Sequence, residues 1–411
     1  MHAHHHGPQD GTAARARAAV HWILGAVAAA TVVGAVALWP GSRTDLLVDT
    51  PLDIEQHDAT VTDVEVHPCD GGDAATSPDC ETLQIRVTSG PTAGTDSSII
   101  QTFEQRGIHV DVGDHIVVTR TPGAPEGFEY AFVDFQRQAP LLLLAGLFVL
   151  AVVLLSRLQG LRAIAGAAAA MVVLVVFLLP ALLAGSSPMA AALVAASIIA
   201  FLAIYLTHGV NDQSTVALLG TLVSLALVAV LALLFVGLSD FTGLINTEAT
   251  MLQITAGQVD LNGLLLAGIV IGSLGVLDDV TVTQVSAVWE LRAANPDESP
   301  RAIYARALRI GRDHIASTVN TLVLAYAGAS LPLLVLFTQS TQPLGRVLTT
   351  EVVAIEIVRT LVGSIGLVAA VPITTGLAVL LMGAIAEGGS DAVGAGDDPE
   401  ATGAPQGGAG R

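Results

Sequence analysis

Lysine is absent from this chain: all 17 of its basic residues are arginine. That pattern reads as the coding bias of a GC-rich bacterial genome and carries no mechanism. Charge of either sign is scarce, at 13% of residues against 52% hydrophobic, and the mean hydropathy is +0.67. So few charges exclude a soluble enzyme and indicate a chain that crosses a lipid bilayer several times. Acidic residues number 36, for a formal charge of −19, which argues against nucleic acid or anionic lipid headgroups as partners. Cysteine is nearly absent. Cys69 and Cys80 are the only two, and two thiolates make no closed zinc site without a second ligand pair, even with His67 close by. No phosphate-binding loop, haem motif or zinc helix occurs. The chain is therefore not expected to be an enzyme or to carry a metal or other cofactor.

The acidic charge is concentrated. Residues 44–138 hold 18 Asp and Glu against 4 Arg. This stretch reads as β: "ATVTDVEVH", "ETLQIRVTSG", "SIIQTFEQRG" and "FEYAFVDFQR" are short, alternating or β-branched, and separated by Gly, Pro and Asp. "IHVDVGDHIVVTRTPG" has the turn-then-strand pattern of small barrels, with Gly113-Asp114 as the turn. His57, His109 and His115 fall among these strands as surface or edge residues. Cys69 and Cys80 both lie here, and an oxidising compartment favours a disulfide between them over two free thiols.

The rest is membrane. A first apolar run covers 21–39, preceded by Arg15 and Arg17. It reads as an uncleaved anchor, with a signal-peptidase site at "AVA" (35–37) as the alternative. Further spans are expected near 139–156, 163–184, 188–207, 214–238, 259–289, 315–337 and 361–383. With the anchor they make an eight-helix transmembrane bundle, mainly α, with the small β domain inserted after the first helix. Arg157, Arg162, Arg292, Arg301, Arg306, Arg309 and Arg312 fall in the short connections on one side, which puts both termini in the cytoplasm and 44–138 outside. The organisation expected is then a disordered cytoplasmic tail (1–20, with His2, His4, His5 and His6), the anchor (21–39), the extracytoplasmic β domain (44–138), a seven-helix domain (139–385) and a disordered acidic cytoplasmic tail (386–411). Residues 344–360 read as an interfacial helix, on which Glu356 and Arg359 are three apart and can pair. In the turn at 207–215, Asn211, Asp212 and Ser214 suit helix capping. Pro332 and Pro372 sit inside spans, as kinks or hinges.

The most informative stretch is "GSLGVLDDVTVTQVSAVWE", residues 272–290. It begins as a glycine-spaced membrane helix and then carries Asp278 and Asp279. A carboxylate at the centre of a bilayer costs about 2.5–3.5 kcal/mol on insertion scales. Steps of three and four through Asp279 give the stripe Gly268, Gly272, Gly275, Asp279, Thr283, Ser286, Glu290. Small residues admit a neighbouring helix and polar ones avoid lipid, so this stripe reads as the inward face, with Thr283, Ser286 and Glu290 on it. Asp278 lies about 100° away and reads as less enclosed. Asn320 and Thr321, early in the next span, are the expected hydrogen-bond partners of Asp279. A carboxyl that can be neutral or charged is what a proton-coupled device needs; a polar lock between two helices is the structural alternative. An intramembrane aspartyl protease needs facing aspartates on two helices, whereas here both are on one.

Three blocks, "GLINTEATMLQITAGQVDLNGLLLAGIVIGSLGVLDDVTVTQVSAVWEL", "ASTVNTLVLAYAGASLPLLVLF" and "TEVVAIEIVRTLVGSIGLVAAVPITT", resemble the YibE/F-like bacterial membrane proteins in order and spacing, as does "GVNDQSTVALLGT". The resemblance covers roughly 140–385 and implies the fold of that region, not an activity. In that family one acid follows the glycine-rich run, and it maps to Asp279. "GVLDDVTVTQVSAVWE" also resembles, more loosely, the Asp-Asp helix of proton-driven RND pumps and SecD/SecF export factors. That likeness implies proton coupling, although two spans are extra here and no basic residue other than Arg359 is placed to face the aspartates. The reading is a multi-pass protein of the bacterial plasma membrane that acts as a proton-coupled transporter or export factor, its substrate a small molecule or an envelope component. The alternative is a non-transporting scaffold or sensor whose β domain binds an envelope partner. Either allows a homo-oligomer.

Overall fold

A computed structural model of the chain describes residues 10–41, 55–68, 79–100, 108–125, 127–244, 247–257, 259–339 and 341–394. Contacts divide it into two units, Asp49–Arg157 and a second made of Met1–Val48 with Leu158–Arg411.

The first unit is built on one antiparallel sheet. Its strands are β1 (Gln56–Pro68), β2 (Asp79–Val87), β3 (Asp96–Ile100), β4 (His115–Arg120) and β5 (Tyr130–Phe135), in the order β3-β2-β1-β4-β5. Three strands in sequence followed by one that returns beside β1 make a Greek key. The sheet curls until its edges meet: Ile100 N–H donates to Gly127 O at 3.2 Å, and Tyr130 Oη donates to Thr92 Oγ1 at 2.9 Å. The result is a partly open five-stranded barrel of the OB type. Alternation along the strands fills its core with Val61, Leu83, Ile85, Val87, Ile99, Ile116 and Val118. On the outer surface Arg86 and Asp96 face each other across β2 and β3, bonded at 2.8 and 3.0 Å, and the guanidinium holds that carboxyl below its usual range. His57 departs from the surface placement expected of it. It is 5% exposed, beneath the turn at Gly90 (φ 80), where any Cβ would meet its ring. Cys69 lies outside the described residues, so the disulfide expected with Cys80 does too.

The second unit is helical. In chain order the helices are α1 (Asp10–Ala37), α2 (Gln138–Val173, shared between the units), α3 (Leu179–Leu183), α4 (Pro188–His208), α5 (Asp212–Leu238), α6 (Thr247–Thr255), α7 (Leu261–Ala294), α8 (Pro300–Ala329), α9 (Leu331–Thr338), α10 (Leu344–Leu348) and α11 (Glu351–Gly394). Among the described residues six helical stretches are long and apolar enough to span a bilayer, seven if α8 and α9, bent by 66°, count as one. The count of eight is not reproduced. The spans expected at 139–156 and 163–184 fall in one apolar stretch, Gln138–Leu183, of 46 residues. At 1.5 Å per residue that is about 69 Å, twice a hydrocarbon core. Its backbone leaves helical geometry at Arg157 (φ 49, ψ −130). The span expected at 315–337 is broken at Ser330, with Pro332 in the first turn of α9. Helices also reach into both expected tails, since α1 starts at Asp10 and α11 ends at Gly394.

Helices α5, α7 and α11 pack on one another at the centre, flanked by α1, α4 and α8. Small residues set the close approaches, as packing within lipid requires. Gly220 faces Thr374, Gly363 faces Ser273, Gly366 faces Val228, and Gly311 faces Val371 and Gln284. Glu351, the first residue of α11, ties down the connection after α5. Its carboxylate accepts from Thr242 N at 2.6 Å, Gly243 N at 2.7 Å and Thr242 Oγ1 at 2.9 Å. Bonds to a charged acceptor contribute about 1.5–3 kcal/mol each, reduced here by exposure to solvent. Glu351→Ala should therefore open this loop by about 1–3 kcal/mol, seen as faster protease cleavage between residues 239 and 244. Unchanged cleavage would show that the loop is held by other contacts.

Candidate functional site

α7 is the hub of the bundle, touching α4, α5, α8 and α11. The face it turns to them is Val270, Leu274, Leu277, Thr281, Gln284, Val285 and Val288, all buried. The small and polar stripe lies on the other side, partly toward α8: Gly268, Gly272, Gly275, Asp279, Thr283, Ser286 and Glu290 are all exposed, and a Cβ on Gly272 would lie 3.4 Å from Tyr326 Oη. The inward face expected from the sequence is thus reversed. Lipid tails are as apolar as leucine, so apolar residues have no reason to avoid the core of a membrane bundle. The branched side chains of α7 pack against α5 and α11, and the glycine stripe is left toward α8 and the exterior.

The reversal exchanges the two aspartates. Asp279, expected inside, has a side chain 68% exposed and faces α8, where His314 Nε2 lies 3.7 Å from its Oδ2. Asn320 and Thr321, its expected partners, lie further along α8 and are exposed; Thr321 Oγ1 donates to Ser317 O in its own helix at 3.0 Å. Asp278, expected to be the less enclosed, turns inward. Its Oδ1 is out of reach of solvent and has no hydrogen-bond partner among the described residues.

Beside Asp278 lies a group of buried hydroxyls that the stripe argument missed. Thr281 Oγ1 bonds the carbonyl of Asp278 at 3.1 Å and the hydroxyl of Thr221, on α5, at 2.6 Å. Thr221 also reaches Ala217 O at 3.0 Å. One turn along α7, Gln284 Nε2 donates to Ala307 O of α8 at 2.7 Å. Ser224 on α5 and Thr374 on α11 are wholly buried, with hydroxyls unpartnered among the described residues. The signal was present in the sequence: Thr281 and Gln284 lie on the same helical line as Leu274 and Leu277.

At the start of α5 is its turn from α4. Asn211 shapes it, accepting from Ser214 N at 2.8 Å and donating to His208 O at 2.9 Å. A cavity of about 80 Å³ opens there between α5 and α7, lined in part by His208, Ser214, Ala217, Val282 and Ser286. A second, apolar cavity of about 330 Å³ sits where α8 breaks into α9, between Leu333, Leu334, Ile357 and Leu361, with Tyr326 and Glu356 also on its wall. Glu356 is held by Arg359 at 2.7 Å. Arg359 lies one turn before Gly363, which meets Ser273, so it is on the far side of that contact from Asp278. The described residues contain no group of three metal-ligating side chains.

The spacing of the aspartate helix, the broken helix after it and the long last helix now stand together, and a family profile described as YibE/F-like protein matches residues 144–384. The chain belongs to the YibE/F-like family. The match covers the helical part from α2 into α11 and stops short of the β unit. No curated protein and no solved structure is detectably similar to this YibE/F-like chain.

Proposed function

We propose that this YibE/F-like membrane protein is a proton-coupled transporter or export factor of the bacterial plasma membrane, with Asp278 as the group that gains and loses the proton. The unpartnered Asp278 Oδ1 carries this reading. A carboxyl kept only to lock two helices would be hydrogen-bonded across them, since an unsatisfied buried polar group costs about 1–3 kcal/mol. A carboxyl that must change its charge is served by the opposite arrangement. Arg359 does not neutralise it, being committed to Glu356. The apolar cavity at the break in α8–α9 falls within the roughly 300–1,000 Å³ typical of small-molecule sites, and discontinuous helices are common at transporter binding sites. In this reading Gln138–Leu183 crosses twice and α8–α9 once, which gives eight spans. The arginines of α8 and of its connection to α7 then lie in the cytoplasm with both termini, and the β unit lies outside, where it meets an envelope component or the substrate.

One observation favours the scaffold alternative. The exposed stripe of glycines and Asp279 on α7 suits a protein neighbour, such as a second copy of the chain, better than lipid. Reconstitution in liposomes loaded with a pH-sensitive dye separates the two. A proton-coupled protein collapses an imposed pH gradient, Asp278→Asn abolishes that flux, and Asp279→Asn retains a substantial part of it. Full flux in Asp278→Asn would defeat the assignment, and no flux in the unaltered protein would leave the scaffold reading.

A further inference from the structure

We infer that the cavity at the α4–α5 turn is the water-filled mouth of the route by which a proton reaches Asp278, with Ser214 and Ser286 at its entrance and the hydroxyls of Thr221 and Thr281 along it. This rests on the reading of Asp278 as the protonated group.

The cavity, at about 80 Å³, has room for more than one water molecule, whose share of the liquid is about 30 Å³. Its wall supplies the polar contacts that water needs. Ser214 is 3% exposed, and its Oγ has no partner among the described residues. A buried hydroxyl with neither donor nor acceptor satisfied calls for a bound water. His208, Asn211 and Ser286 add further polar groups around it.

The residues that follow inward come in a fixed order. Ala217 and Val282 line the cavity. Four residues beyond Ala217 on α5 is Thr221. Beside Val282 on α7 is Thr281, bonded to Thr221 at 2.6 Å. Thr281 in turn bonds the backbone of Asp278 at 3.1 Å, which puts its hydroxyl on the same turn as that carboxyl. Past Asp278 the line closes in Leu277, Leu274 and Val270, all buried.

The other titratable and charged groups of the packed helices point to other faces or sit at other heights along the bundle. On α7, Asp279 is its neighbour and points to the exposed face; on α8, His314 faces Asp279. On α11, Glu356 and Arg359 are paired beyond the Ser273–Gly363 contact. On the α4–α5 side the nearest such groups are His208 and Asp212, at the turn itself.

The transfer balances without a co-reactant. A hydronium in the cavity gives up one O–H bond and remains as water. Each threonine hydroxyl turns from the backbone carbonyl it donates to, Ala217 O for Thr221 and Asp278 O for Thr281, takes a proton on its oxygen and releases its own, the last passing through a water to the carboxylate. The carboxylate ends with one new O–H bond.

Cysteine accessibility in the full chain tests this, with the unsubstituted protein as the measure of labelling at Cys69 and Cys80. Ser214→Cys and Ser286→Cys, both on the cavity wall, should react with a membrane-impermeant thiol reagent from the side of the α4–α5 turn and not from the other. Leu225→Cys, buried about three turns deeper on α5 than Ser214, should not react. In the liposome assay Thr281→Val should lower proton flux at least tenfold, and Thr281→Ser should restore most of it. Flux in the unaltered protein with Ser214→Cys and Ser286→Cys folded but unreactive would overturn the route and leave Asp278 in place. Full flux in Thr281→Val would overturn it as well. Labelling as expected without flux in the unaltered protein would defeat proton coupling, and the route with it, and leave a water-filled cavity.

Discussion

Gly366→Leu is expected to leave almost no folded bundle. Gly366 lies where α11 crosses α5, and even a Cβ there meets Val228. Val228 is wholly buried, and its β-branched side chain has little rotameric freedom on a helix. The two helices would have to separate along an interface that also holds Gly220 against Thr374, where an added Cβ would lie 2.5 Å from the hydroxyl. Overpacking of this kind costs about 1–3 kcal/mol for small insertions and more for a whole side chain. Separation would also strip neighbours from Leu225 and Leu367, both buried in the same core. Size-exclusion profiles and thermal midpoints in detergent would show the loss. Gly366→Ala should be intermediate, and Val228→Ala in the same chain should recover part of it. A Gly366→Leu protein with the original midpoint would mean that α5 and α11 do not meet there.

The second large effect belongs to the β unit. Ile85 is completely buried at the middle of β2, paired with Val61 on one side and Ser97 on the other. Truncation of such a residue to alanine costs about 2–5 kcal/mol, part from lost transfer energy and part from the cavity left behind. A barrel this small has few other residues to take up the loss. Ile85→Ala should raise the cleavable fraction of the β unit by a factor of about 30 to several thousand, since each 1.4 kcal/mol is tenfold. Limited proteolysis of the whole chain, with cleavage mapped to residues 56–135, measures this. Val66, on β1 and 62% exposed, supplies the control: Val66→Ala should cleave at close to the original rate. Equal rates for the two variants would place the core on the other face of the sheet.

Much of the architecture was legible because it follows from local chemistry. Apolar stretches longer than a bilayer core have few soluble alternatives, so the helical spans stood out from composition alone. Alternation of β-branched residues did the same for β1, β2 and β4. The family was legible from the blocks around Asp278 and Asp279. The OB-type closure was less so. It depends on contacts between segments far apart in sequence, such as Tyr130 with Thr92, that no local pattern announces.

A multi-pass membrane protein with a small β unit, YibE/F-like and with two adjacent acids on one membrane helix, is readable from the order of the residues alone. Which acid turns inward depends on how the helices pack. In water the polar face of a helix is the outer one, and within lipid the usual expectation is the reverse, but neither rule fixes the rotation of α7. That rotation follows from the fit of Leu274, Leu277 and Val285 against α5 and α11, a sum of many small dispersion contacts. Because consecutive residues differ by about 100° around the helix, that fit placed Asp278 among buried hydroxyls and Asp279 beside His314.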